Sequence, residues 1–152
     1  MSVQIGSPAP GFTLPDTEGA AFTLEQVRGR KTLIVFIPFP FTGVCEGELC
    51  TLRDHLADLG ALDANVVAIT CDTRFANRKW SQSNGFGFPV LSDFWPHGEV
   101  SRRYDTFDTE KGCANRTTFV LDTAGMVREI VASDALGTPR EYAAYEEALR
   151  RF

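Results

Sequence analysis

The chain has 152 residues, a length that at roughly 100–200 residues per domain predicts one domain spanning residues 1–152, able to bury about 70% of its unfolded surface. Apolar residues make up 43% of it and charged residues 23%, which disfavours disordered, collagen-like and coiled-coil classes. A net charge of -5, from 15 basic against 20 acidic residues, with no basic run longer than Arg28 to Lys31, argues against a nucleic-acid or anionic-membrane surface.

The longest apolar run, Leu33 to Pro40, falls far short of the roughly 20 residues a membrane-spanning helix requires. The opening Met1-Ser-Val-Gln-Ile-Gly has neither a basic region nor a hydrophobic stretch, so a signal peptide and a lipid anchor are not expected and the cytosol is the default compartment. Four cysteines are too sparse for a disulfide scaffold. In a reducing compartment they point to core filling, metal binding or redox chemistry.

In chain order, Thr32 to Ile37 is a β-branched and aromatic run closed by Pro38, which predicts a strand buried on both faces. Residues 43 to 60 carry Leu49, Leu52, Leu56 and Leu59 at steps of three and four, the pattern of an amphipathic helix stopped at Gly60. Asn65 to Thr70 reads as a second buried strand, Arg74 to Ser83 as a helix, Phe88 to Leu91 as a short strand, and the region around Gly98 to Tyr104 as a helix. Thr117 to Asp122 and Met126 to Ala132 flank a Thr-Ala-Gly turn and predict a hairpin, after which Pro139 opens a C-terminal helix. This order is an α/β fold around a mixed central sheet flanked by helices.

In open α/β sheets the chemistry usually lies past the carboxyl end of a strand, where a helix begins. Here that place is Pro38-Phe39-Pro40-Phe41-Thr42-Gly43-Val44-Cys45. Cys45 falls in or just before the first helical turn, where unpaired amides and the helix dipole favour a thiolate. Taken alone it reads equally well as a small buried hydrophobe. Thr42 can cap the helix or present its hydroxyl to the sulfur, and the two prolines fix the loop.

The pattern Pro38-x-x-x-Thr42-x-x-Cys45 resembles the signature of peroxiredoxins, thiol peroxidases built on a thioredoxin-like fold. The opening Gly6-x-x-Ala9-Pro10-x-Phe12-x-Leu14, the acidic Glu48 three places after Cys45, and Asn115-Arg116-Thr117-Thr118-Phe119 are similar to family segments in the same order. The runs Phe41 to Leu49 and Leu91 to Gly98 most resemble the AhpE-type subgroup. The resemblance implies a peroxidase acting on hydrogen peroxide, organic hydroperoxides or peroxynitrite. Cys45 would be the nucleophile, Thr42 would hold the peroxide, and Arg116 would stabilise thiolate and leaving oxygen. Glu48 would hold Arg116, and Pro38 would shape the loop. It also implies a homodimer or larger assembly, and a thioredoxin-, glutaredoxin- or mycoredoxin-like reductant or small thiol as electron donor. A thioredoxin-like disulfide reductase and a peroxide-sensing redox protein are the rival classes. The former is disfavoured because Thr42 stands where thioredoxins carry the first cysteine of Cys-x-x-Cys.

Two residues bear on recycling. On a helix, Cys45 and Cys50 have Cα atoms about 8.6 Å apart, whereas a disulfide needs less than about 7 Å. They could bond only if the first turns unwind. The spacing resembles that of the Q-type peroxiredoxins, whose resolving cysteine lies on this helix; the alternative for Cys50 is packing beside the leucines. Cys113, three residues before Arg116, is a second candidate resolver, and Cys71 reads as core. Cys45, Cys50 and His55 at steps of five cannot converge on one metal ion, and no cofactor motif is visible.

Overall fold

A computed structural model describes residues 3–152; the reading of the N-terminus as free of a leader lies partly outside them. The elements run β1 (Thr13–Pro15), β2 (Ala21–Thr23), a 3-10 turn (Leu24–Val27), β3 (Lys31–Ile37), α1 (Gly43–Asp54), α2 (Leu56–Ala61), β4 (Ala64–Thr70) and α3 (Arg74–Asn84). They continue through β5 (Val90–Ser92), α4 (Glu99–Arg103), β6 (Phe107–Asp108), β7 (Cys113–Ala114), β8 (Thr117–Leu121), β9 (Val127–Ala132) and α5 (Tyr142–Arg150). The main sheet has the order β5-β4-β3-β8-β9. β3 pairs parallel with β4 and antiparallel with β8, and β4 pairs parallel with β5. The expected mixed α/β architecture is the observed one.

β3 is central, and both its faces are covered, which is why its sequence is a continuous apolar run and not an alternation. Leu33, Val35 and Ile37 enter one apolar cluster with residues of α1, α2, α3 and α5. Ile34 and Phe36 enter the other, with α4 and the N-terminal segment.

Four local readings need correction. The helix expected over 43–60 is broken at His55, whose ring Nδ1 lies 2.8 Å from the Thr51 carbonyl that its own backbone N-H also reaches. A side chain competing for a ladder carbonyl is a recognised cause of a bend. The third strand starts at Val90 and not at Phe88, because Pro89 has no N-H for the ladder and Phe86 and Phe88 stack at 5.5 Å. α5 begins at Tyr142 and not at Pro139, because the Arg140 amide is drawn away to a glutamate side chain on α1. The short hairpins β1–β2 and β6–β7 were not expected; strands of two or three residues are too brief to show a period.

Candidate active site

Cys45 is the third residue of α1, directly after the loop that leaves β3. Pro38 and Pro40 are buried while Phe39, Phe41 and Thr42 are exposed. Phe41 takes a positive φ of 63°, an unfavourable conformation for an aromatic residue, and the chain turns there into the helix. Thr42 is the N-cap residue, but its hydroxyl makes no cap bond; it donates to the Phe39 carbonyl at 2.8 Å and so braces the loop.

Antiparallel pairing of β8 against β3, with Val35 opposite Thr118, brings the residue before β8 to the carboxyl end of β3. That residue is Arg116. Its Nη1 donates to the Cys45 sulfur at 3.4 Å, and the same nitrogen donates to Glu48 Oε1. Nε binds the Leu136 carbonyl at 3.0 Å. Cys45 is 1% exposed and Arg116 3%, so the contact is shielded from water and strengthened accordingly.

Glu48, one helical turn beyond Cys45, is held from two sides. Arg140 Nη2 donates to its Oε1 at 2.8 Å, and Arg140 Nε and backbone N-H donate to its Oε2 at 2.8 and 2.7 Å. Arg140 itself is anchored by the Phe36 carbonyl and the Thr118 hydroxyl, the latter in contact with Tyr145 at 2.8 Å. Burial works to raise the Glu48 pKa, but hydrogen bonds and charge from Arg140, then the Arg116 hydrogen bond, outweigh it and hold the carboxyl below its usual range. Burial likewise opposes the charge on Arg116, yet Glu48 and Cys45 push its pKa above the ordinary arginine value.

Of the residues singled out in the sequence, Cys45, Arg116 and Glu48 are in contact, while Pro38 and Thr42 lie in the loop between β3 and Cys45, with the Thr42 hydroxyl on the Phe39 carbonyl. The sequence reading missed Arg140, which reaches Glu48 across 92 residues; nothing in Thr138-Pro139-Arg140-Glu141 marks it out. Cys71 is buried, 3.6 Å from the Ser101 hydroxyl, and burial pushes its thiol up to about 11. Cys113 is fully buried; burial, then the nearby Asp108 carboxylate, push it up to about 11 as well. Cys50 is half-buried with its sulfur 3.8 Å from Asn84 Oδ1. All four cysteines are free. Trp80 and Phe86 belong to the core, whereas Phe39, Phe41, Phe75, Phe94 and Trp95 are exposed. Among the described residues no cluster of three or more His, Cys, Asp or Glu is placed to hold a metal ion, and no helix is long and apolar enough to cross a membrane.

A family model described as AhpC/TSA matches residues 5–130. Alkyl hydroperoxide reductase E of Mycobacterium tuberculosis is 46% identical over 127 residues, which cover 83% of each chain. Among solved structures, that of peroxidoxin BcpB from Mycobacterium tuberculosis is 26% identical with a TM-score of 0.86, covering 97% of this chain and 95% of that one. The structure of AhpC from Enterococcus faecalis is 25% identical with a TM-score of 0.84, covering 99% and 90%. The geometry around Cys45 and this likeness along most of the sequence agree: the chain belongs to the AhpC/TSA family and is a peroxiredoxin of thioredoxin-like fold.

Proposed function

We propose that the chain, acting as one domain, is a thiol-dependent peroxidase that reduces hydrogen peroxide, organic hydroperoxides or peroxynitrite through Cys45. The observation that carries this reading is the buried Arg116 guanidinium 3.4 Å from the Cys45 sulfur. Two guanidiniums and one carboxylate would leave a net positive charge in a site shut off from water; an ionised Cys45 brings the group to neutrality.

The thiolate attacks one oxygen of the peroxide, the O–O bond breaks, and sulfur is oxidised to a sulfenic acid. The other oxygen leaves with the electron pair, as hydroxide or alkoxide that is protonated to water or alcohol, or as nitrite when the substrate is peroxynitrite. Arg116 meets the developing negative charge with a fixed donor. Thr42, braced on the Phe39 carbonyl, keeps its oxygen lone pairs free to orient the peroxide O-H. Pro38 sets the loop, Glu48 fixes Arg116, and Arg140 fixes Glu48.

The sulfenic acid is recycled by Cys50 or by an external thiol, a thioredoxin-, glutaredoxin- or mycoredoxin-like protein or a small thiol. Cys113 is the poorer resolver: a thiol buried and pushed up to about 11 supplies little thiolate. Phe75, Phe94 and Trp95 line one surface hollow with Pro15 and Thr73, an exposed aromatic patch that suits a homodimer contact. The composition and the sparse cysteines suit the cytoplasm.

Intact mass after one equivalent of peroxide tests the proposal. A gain of about sixteen mass units marks a sulfenic acid and a loss of about two a disulfide; both should vanish in Cys45→Ser. Oxidation that persists in Cys45→Ser overturns the assignment.

A further inference from the structure

The first turn of α1 is bolted to α3 by a set of contacts on the side away from Arg116. Glu46, the residue after Cys45, accepts two hydrogen bonds on Oε1, from Trp80 Nε1 at 3.0 Å and from Asn84 Nδ2 at 3.1 Å. The carboxamide of Asn84 is shared: its Nδ2 also donates to the Trp80 carbonyl at 3.0 Å, and its Oδ1 accepts from the Cys50 thiol at 3.8 Å. Arg53 Nη1 donates to the Asn84 carbonyl at 2.7 Å. Trp80 is completely buried, edge-on to Phe86 at 5.0 Å and against Phe41 at 6.2 Å, so the donor end of α3 is a rigid anchor.

These contacts straddle the segment that must unwind for Cys45 and Cys50 to meet, because five residues of helix keep their Cα atoms about 8.6 Å apart. We propose that Glu46, Asn84 and Trp80 form a latch that holds the start of α1 wound and so sets how fast Cys50 closes on oxidised Cys45. The inference rests on the peroxidase reading above. In the step it governs, the Cys50 sulfur attacks the Cys45 sulfenic sulfur, an S–S bond forms, the S–OH bond breaks, and hydroxide leaves and is protonated to water. One carboxamide holds both ends of the segment: Asn84 ties the side chain of Glu46, the residue after Cys45, and contacts the Cys50 thiol. The latch favours a persistent sulfenic acid open to an external thiol; its loss favours the internal disulfide.

The test follows two masses with time after one equivalent of hydrogen peroxide, in the parent and in Asn84→Ala, Glu46→Ala, Glu46→Gln and Trp80→Phe, with thermal melting alongside. Removing a hydrogen bond to a charged group should speed disulfide formation about tenfold in Asn84→Ala and Glu46→Ala, with the rate of Cys45 oxidation unchanged. Glu46→Gln, which keeps a carbonyl acceptor, should lie between these and the parent. Trp80→Phe, which removes the indole donor along with part of the buried ring, gives a second reading of the partition should Asn84→Ala weaken the fold. A merely structural role would lower the melting temperature without moving the partition between sulfenic acid and disulfide. An unchanged partition in all variants overturns the latch, as does a faster disulfide that survives Cys50→Ser. Absence of any oxidation at Cys45 in the parent would instead remove the peroxidase reading on which the latch depends.

Discussion

Glu48 is the hinge of the site's electrostatics, because a single carboxylate satisfies two guanidiniums, each almost wholly buried. Removing one partner of a buried pair leaves an uncompensated charge, which costs about 3–5 kcal/mol. Glu48→Gln should therefore lose about that much stability in urea unfolding, and its peroxide reactivity should fall because Arg116 is freed. The pH dependence has a definite sign. The folded-state pKa of Glu48 is lowered, so its contribution is complete above the ordinary glutamate value of about 4.3 and is lost as pH falls through the lower folded value. Unfolding curves from about pH 7 to about pH 3 should show this loss in the parent and a shallower slope in Glu48→Gln. Arg116→Met, which keeps bulk and removes the donor, should lower the second-order rate with peroxide by about 10²–10³, the usual cost of deleting one donor to developing charge. Stopped-flow tryptophan fluorescence would measure it, and a loss below tenfold would deny Arg116 its role.

At the level of elements, two backbone positions show how the site is framed. Arg140 gives its amide to Glu48 and thereby delays α5 until Tyr142, so a side chain on α1 decides where a helix nearly a hundred residues away begins. Gly98 precedes α4 with φ of +70°, and a Cβ there would lie 2.2 Å from the Phe107 ring that Arg102 covers at 4.0 Å. Gly98→Ala should destabilise by about 1–3 kcal/mol through displacement of that ring, read as a fall of several degrees in Tm. Because α4 lies in the cluster on the face of β3 opposite α1, the peroxide rate of the folded variant should match the parent.

For the molecule as a whole, the exposed aromatics are the feature that folding leaves unexplained. Trp95 is 82% exposed and Phe75 65%, and burying such rings is a usual contribution of an interface. On the proposed homodimer contact, the parent should sediment as a dimer or larger and the double variant Phe75→Glu, Trp95→Glu as a monomer; a parent monomeric at all concentrations would refute the assembly.

Local pattern was enough to mark the buried strands β3 and β4, the helix after Pro38-x-x-x-Thr42-x-x-Cys45 and the hairpin β8–β9, because apolar period, proline and turn chemistry act over a few residues. The same reach made Cys45 and Thr42 visible as candidates, whereas Arg116 and Glu48 stood out only through the resemblance to peroxiredoxins. Local pattern left the break at His55 and the delayed start of α5 unseen: the first turns on a ring contact to the Thr51 carbonyl that an apolar period does not register, the second on a hydrogen bond between residues 92 apart in the chain. The sequence by itself thus determined which residues are the candidates for reactive chemistry and which segments are buried. Only the tertiary structure decided that Arg140 closes the ion network, that Asn84 joins Glu46 to Cys50, and which aromatics stay in solvent. Those outcomes turn on charge and hydrogen-bond partners distant in the chain, which meet only once β8 lies against β3 and α3 packs beside α1.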